Sequence, residues 1–100
     1  MKRLDEIEAI LQKHKKELEQ KFKVKEIGIF GSYVRGEAKE TSDVDILVDF
    51  YEVPSLLKFI ELEEYLEEIL GVKVDLVMKS ALKPRIAETV LREVVYISAK

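Results

Sequence analysis

The chain reads Glu26-Ile27-Gly28-Ile29-Phe30-Gly31-Ser32 and, after ten intervening residues, Asp43-Val44-Asp45-Ile46-Leu47-Val48. The first run is short, apolar and β-rich and stops at a glycine, which reads as a strand over Glu26 to Phe30 ending in a tight turn. The second reads as another strand, Val44 to Phe50, reached through the polar turn region Gly36 to Ser42. Side chains two apart on a strand share a face, so Asp43 and Asp45 can present two carboxylates together to a divalent metal. Glycine lets a phosphate approach the backbone, and Ser32 can open a short helix whose free N–H groups favour an anion. A phosphate holder and a metal holder this close in the chain are the parts of a phosphoryl-transfer site. Plainer readings stand beside these. Gly31-Ser32 can be a serine-capped turn, and Asp43 can end that turn with Ser42 so that only Asp45 enters the strand.

Outward from this stretch the apolar spacing sets the remaining elements. Leu4, Ile7, Leu11, His14 and Leu18 fall on one helical stripe, which predicts a helix from about Leu4 to Lys21. Pro54 suits the first turn of a second long helix carrying Leu56, Phe59, Leu62, Leu66 and Ile69, and Gly71 is placed to end it. Val72 to Met78 reads as a third strand. Pro84 opens a last helix with Ile86, Ala87, Val90 and Leu91, and Val94 to Ile97 reads as a terminal strand. The order αβ(α)βαβαβ implies an α+β (α/β) fold: a small mixed β-sheet with helices packed against it.

Asp75 breaks the apolar run Val72 to Met78, where an unpaired charge is costly. If its strand neighbours that of Asp45, three carboxylates meet and can hold two divalent ions, one on nucleotide phosphates and one on an attacking hydroxyl. The alternative is an ion pair with Lys73 or Lys79. His14, the sole histidine, lies on the apolar stripe and reads as a packing residue. Asp49 shares parity with Asp43 and Asp45 but lies far along the strand, which favours a surface role. Glu61, Glu63, Glu64, Glu67 and Glu68 read as a solvated face or an acidic docking surface. Tyr33 and Tyr51 flank the motif and can contact a base or a partner, or pack.

One hundred residues, 47% hydrophobic, suit one domain spanning residues 1–100 with one core. The net charge of −3 argues against stable nucleic-acid binding driven by phosphate neutralisation. The absence of cysteine excludes a disulfide framework and thiolate zinc. Met1 to Gln20 is charged throughout, unlike a signal peptide or a membrane span, so the expected location is cytoplasmic. A composition rich in Lys and Glu without Asn or Cys also suits a thermophilic source.

Gly31-Ser32-Tyr33-Val34-Arg35-Gly36 followed by Ser42-Asp43-Val44-Asp45-Ile46-Leu47-Val48 closely resembles the signature of the DNA polymerase beta-like nucleotidyltransferase superfamily. Within it the chain is similar to the minimal nucleotidyltransferases, including the helix opened by Leu82-Lys83-Pro84. The resemblance implies that Asp43, Asp45 and Asp75 bind metal, expected to be two magnesium ions, with Asp75 helping to deprotonate the attacking hydroxyl. It implies that Gly31 and Ser32 hold the triphosphate of ATP. Arg35 matches a recurrent basic residue that can contact phosphate, or it can pair with Glu37.

Such chains are typically paired with a helical HEPN protein, an RNA-cleaving toxin, in a toxin–antitoxin hetero-oligomer. The implied reaction is transfer of AMP from ATP to a hydroxyl of that partner, expected to be a tyrosine, which disables the toxin. A second reading is a non-catalytic antitoxin that neutralises its partner by occlusion. A third, modification of a small molecule, lacks an acceptor-binding segment in this sequence.

Overall fold

The computed structural model describes residues 2–98. Helix α1 (Leu4–Lys13) is followed directly by α2 (Lys15–Phe22), then by strand β1 (Val24–Phe30), the short helix α3 (Ser32–Arg35) and strand β2 (Val44–Phe50). Helix α4 (Leu56–Leu70), strand β3 (Val74–Met78), a 3₁₀ turn (Lys79–Ala81), helix α5 (Pro84–Glu93) and strand β4 (Val95–Tyr96) complete the described chain. The result is an α+β architecture around one mixed sheet. The strand order is β3-β2-β1-β4, with β2 and β3 parallel and the other pairs antiparallel.

The expected single helix from Leu4 to Lys21 is two helices. At His14 the backbone leaves helical geometry (φ −99°, ψ 5°), and its Nδ1 lies 2.9 Å from the carbonyl oxygen of Ile10. A side chain that competes locally for a helical carbonyl is a recognised way to interrupt the ladder. The stripe survives the break, because Ile7, Leu11 and Leu18 are all fully buried. His14 is half-buried against the ring of Tyr65, in keeping with a packing role.

The long helix begins later than Pro54. Ser55 is its cap, its hydroxyl accepting the N–H of Lys58 at 3.2 Å, so Pro54 precedes the helix and Leu56 is exposed. Leu62, Leu66 and Leu70 form the buried stripe. They pack with Ile7, Leu11, Leu18, Ile27, Ile29, Val44, Ile46 and Val48 in one hydrophobic cluster. Burying aliphatic side chains of this size contributes roughly 1.5–3 kcal/mol each, the main term opposing chain entropy. The third strand starts at Val74 rather than Val72, and the terminal strand is confined to Val95 and Tyr96. On β1, Gly28 lets β4 approach, since a Cβ there would meet Val94 Cγ2 at 2.7 Å and the Val95 carbonyl oxygen at 2.9 Å.

Strand alternation sorts β2 into two faces. Val44, Ile46 and Val48 enter the helical core, so Asp45 points to the opposite face of the sheet. Among the described residues no helix is long and apolar enough to cross a membrane.

Candidate active site

The site lies where β1 ends and β2 and β3 begin. Beyond Phe30 the backbone turns at Gly31 with φ 77° and ψ −151°, a region that disfavours any residue with a Cβ. The Gly31 carbonyl then accepts the N–H groups of Val34 and Arg35 at 3.0 and 3.1 Å, which closes the single turn of α3. Gly36, in the left-handed region, ends it. Between Glu37 and Asp43 the chain is tied down by Ser42, whose Oγ accepts the N–H of Lys39 and whose own N–H reaches the Lys39 carbonyl, both at 2.9 Å.

Asp43 lies one residue before β2, so the reading in which it ends the preceding turn describes its backbone correctly. It still belongs to the site, because its charge acts on Asp45. Asp45 sits opposite Phe30 on β1 and opposite Asp75 on β3, which places two carboxylates side by side on adjacent parallel strands. The ion pair considered for Asp75 does not form. Lys79 pairs with Glu26 at 3.1 Å, and among the described residues Asp75 joins no salt bridge.

This crowding has an electrostatic signature. Burial pushes the Asp45 carboxyl up to about 6, reinforced by the charge of Asp75, by hydrogen bonding to Asp75, and by the charge of Asp43; Arg35 opposes the rise. A cluster of like charges on a partly desolvated floor asks for a cation. Among the described residues no three His, Asp or Glu side chains converge into a ready-made metal cage. The expected three-carboxylate set of Asp43, Asp45 and Asp75 is thus not drawn together as a cage; the adjacent Asp45 and Asp75 offer two carboxylates, a number a magnesium ion can take when water and substrate phosphates complete its shell.

Arg35 does pair with Glu37 at 2.9 Å, but it also donates to Glu93 at 2.9 Å. Glu93 was not among the residues singled out from the sequence. Its second oxygen accepts the N–H of Gly31 at 2.8 Å, and its side chain is only 16% exposed. One local signal marked it: an acid in the last turn of a helix opposes the helix dipole and needs a partner. Of the other residues considered, Tyr33 is buried, Tyr51 is exposed, and Asp49 accepts the N–H of Phe50 at 3.1 Å. Glu67 is not simply solvated, because its carboxylate accepts the N–H of Val74 at 3.0 Å. A cleft of about 680 Å³ opens beside Asp43, lined by Tyr33, Ser42, Glu67, Val72 and Lys73 among others.

A glycine turn, two acids on neighbouring strands, a third just before the first of them and an arginine at their rim define a site of the nucleotidyl-transfer class. The Nucleotidyltransferase domain family model matches residues 11–97, and the chain belongs to that family. It is 77% identical over 94 residues to the protein adenylyltransferase MntA of Thermococcus cleftensis, covering 94% of this chain and 95% of that one. A solved putative minimal nucleotidyltransferase superimposes with a TM-score of 0.78 at 39% identity, covering 94% of this chain and 95% of the other. The same fold recurs in a structure of tri-AMPylated Shewanella oneidensis HEPN toxin in complex with MNT antitoxin (TM-score 0.66, 21% identity, 93% of this chain and 73% of that one). The chain is therefore a nucleotidyltransferase.

Proposed function

We propose that this protein is a magnesium-dependent protein adenylyltransferase that moves AMP from ATP onto a tyrosine hydroxyl of a HEPN-type toxin, and so serves as that toxin's antitoxin. The observation that carries the reading is the lateral pairing of Asp45 with Asp75, with Asp43 adjacent and the Gly31 turn alongside. The similarity to the Thermococcus protein adenylyltransferase supports the choice of a protein acceptor. The fold shared with the antitoxin of the tri-AMPylated complex fits the same partner. The surface also suits a protein partner. Tyr51, Val53, Leu56, Leu57 and Ile60 all stand exposed within ten residues, a concentration that soluble surfaces usually cover.

In the proposed reaction the acceptor oxygen attacks the α-phosphorus of ATP. The new P–O bond forms as the bond to the β-phosphate bridging oxygen breaks, and pyrophosphate leaves with that electron pair. Asp75, exposed beside Asp45, would take the hydroxyl proton. Asp43, Asp45 and Asp75 would hold the magnesium ions, which when bound would neutralise phosphate charge and lower the pKa of the hydroxyl. Gly31 would let the triphosphate approach the backbone, Ser32 would offer its backbone N–H, and Arg35 would offer its remaining N–H donors.

The test is transfer of α-phosphate label from ATP, with magnesium, to the partner toxin. Label on a tyrosine of the toxin, lost with EDTA and lost in Asp43→Asn plus Asp45→Asn, is the expected result. Label that survives the double substitution would overturn the site. Toxin neutralisation that survives it would favour occlusion instead.

A further inference from the structure

We propose that Glu93 is a positioning residue for the nucleotide-holding turn, acting through Gly31 and Arg35. The inference rests on the reading in which Gly31, Ser32 and Arg35 receive the phosphates of ATP. The two carboxylate oxygens of Glu93 are used separately, Oε2 on the Gly31 N–H at 2.8 Å and Oε1 on an Arg35 Nη at 2.9 Å. The first contact spans 62 positions of sequence, so one carboxylate from α5 fixes both ends of α3. Both contacts hold Glu93 in its charged form, with Arg35 the larger cause.

This arrangement has a consequence for ligand binding. The Gly31 N–H is already occupied, whereas Ser32 and Tyr33 donate their N–H groups to no acceptor among the described residues. Glu93 thereby selects which backbone donors remain open to an anion. On Arg35, Glu37 takes Nε and Glu93 takes one Nη. A guanidinium has five N–H donors, so three stay available, two of them on the other Nη, and are held in one orientation. Pre-orienting a fork-shaped donor lowers the ordering cost of phosphate binding. Helix α5 is a suitable carrier for such a tether. Val90 is its only buried residue, with Ile86 and Leu91 exposed, so the Glu93 contacts are a main part of how its last turn is docked.

The experiment compares wild type, Glu93→Ala, Glu93→Gln, Arg35→Ala and the Glu93→Ala/Arg35→Ala double variant. ATP affinity with magnesium is measured by calorimetry, and KM and kcat by label transfer, all well below each variant's Tm. Glu93→Ala is expected to weaken ATP binding about tenfold and raise KM in parallel, with kcat changed less than about threefold, the pattern of lost charge-assisted positioning. Glu93→Gln keeps an acceptor for the Gly31 N–H but not the charge for Arg35, and should fall between. In the Arg35→Ala background the same Glu93→Ala change should cost only about threefold, because the Gly31 contact alone is left to lose. ATP affinity in Glu93→Ala within about twofold of wild type overturns the proposal, whatever happens to Tm. So does an undiminished effect in the Arg35→Ala background. A wild-type chain that binds ATP but labels no partner would instead overturn the adenylyltransferase reading, while the affinity comparison still decides the role of Glu93.

Discussion

The carboxylate of Asp45 lies directly over Gly31, so that a Cβ built on Gly31 would overlap Asp45 Oδ2. The glycine of the turn and the central carboxylate of the site therefore occupy one piece of space. Gly31→Ala is expected to cost about 1–3 kcal/mol through a positive φ and to displace Asp45, lowering transfer by on the order of 10²-fold or more. Gly36→Ala is the control, since it also has a positive φ (74°) but nothing within 4 Å of an added Cβ. It should lose about 1–2 kcal/mol and keep most of its activity. Thermal melts and label transfer on both variants check this.

The raised pKa of Asp45 sets a pH window for the metal-free protein. Its ordinary value is 3.8 and its folded value about 6. Between those values the folded state binds the extra proton, so stability contributed at lower pH is lost as pH rises through about 6. Asp45→Asn escapes that loss. In EDTA it should match wild type near pH 4 and exceed it by about 1 kcal/mol near pH 7, allowing for screening by solvent. Magnesium should stabilise wild type near pH 7 and close the gap. Denaturant unfolding at the two pH values, with and without magnesium, provides the measurement.

Asp75 is a principal source of the like charge on Asp45. Asp75→Asn should lower the Asp45 titration toward the ordinary carboxylate range in metal-free protein, read by NMR of the Asp45 carboxyl. It should also cut transfer by on the order of 10³-fold, several kcal/mol of transition-state stabilisation. Asp49→Asn, on the same face but remote from β3's acid, should do neither.

Glu67 caps the start of β3 by accepting the Val74 N–H. Glu67→Ala strips that partly buried donor of its acceptor and is expected to cost about 1–2 kcal/mol in denaturant unfolding. Glu64→Ala, an exposed change on the same helix, should stay within about 0.5 kcal/mol. Equal effects from the two would refute the cap.

Local pattern determined much of this protein. A short β-rich apolar run stopping at Gly31 and the polar turn region from Gly36 predicted the β1–turn–β2 unit, and the Asp43-x-Asp45 spacing marked the acids. Helical period marked Leu62 and Leu66, and the stop at Gly71 follows from a left-handed cap. Such features are set within a few residues, which is why they are legible in one dimension. The break at His14 was not, because the apolar stripe continues through it and only the His14 ring nitrogen, competing for the Ile10 carbonyl, marks it. Capping by Ser55 likewise outweighed the helix-starting preference of Pro54.

What tertiary structure alone decided is pairing at a distance. That Asp75 stands beside Asp45 depends on parallel register between β2 and β3, which no local spacing encodes. Charge placed on an apolar strand costs energy wherever it lies, and only the fold brings together the acids that share that cost. Glu93 reads in sequence as one more acid at a helix end. It becomes the tether of Gly31 and Arg35 because the docking of α5 carries it across 62 positions to them.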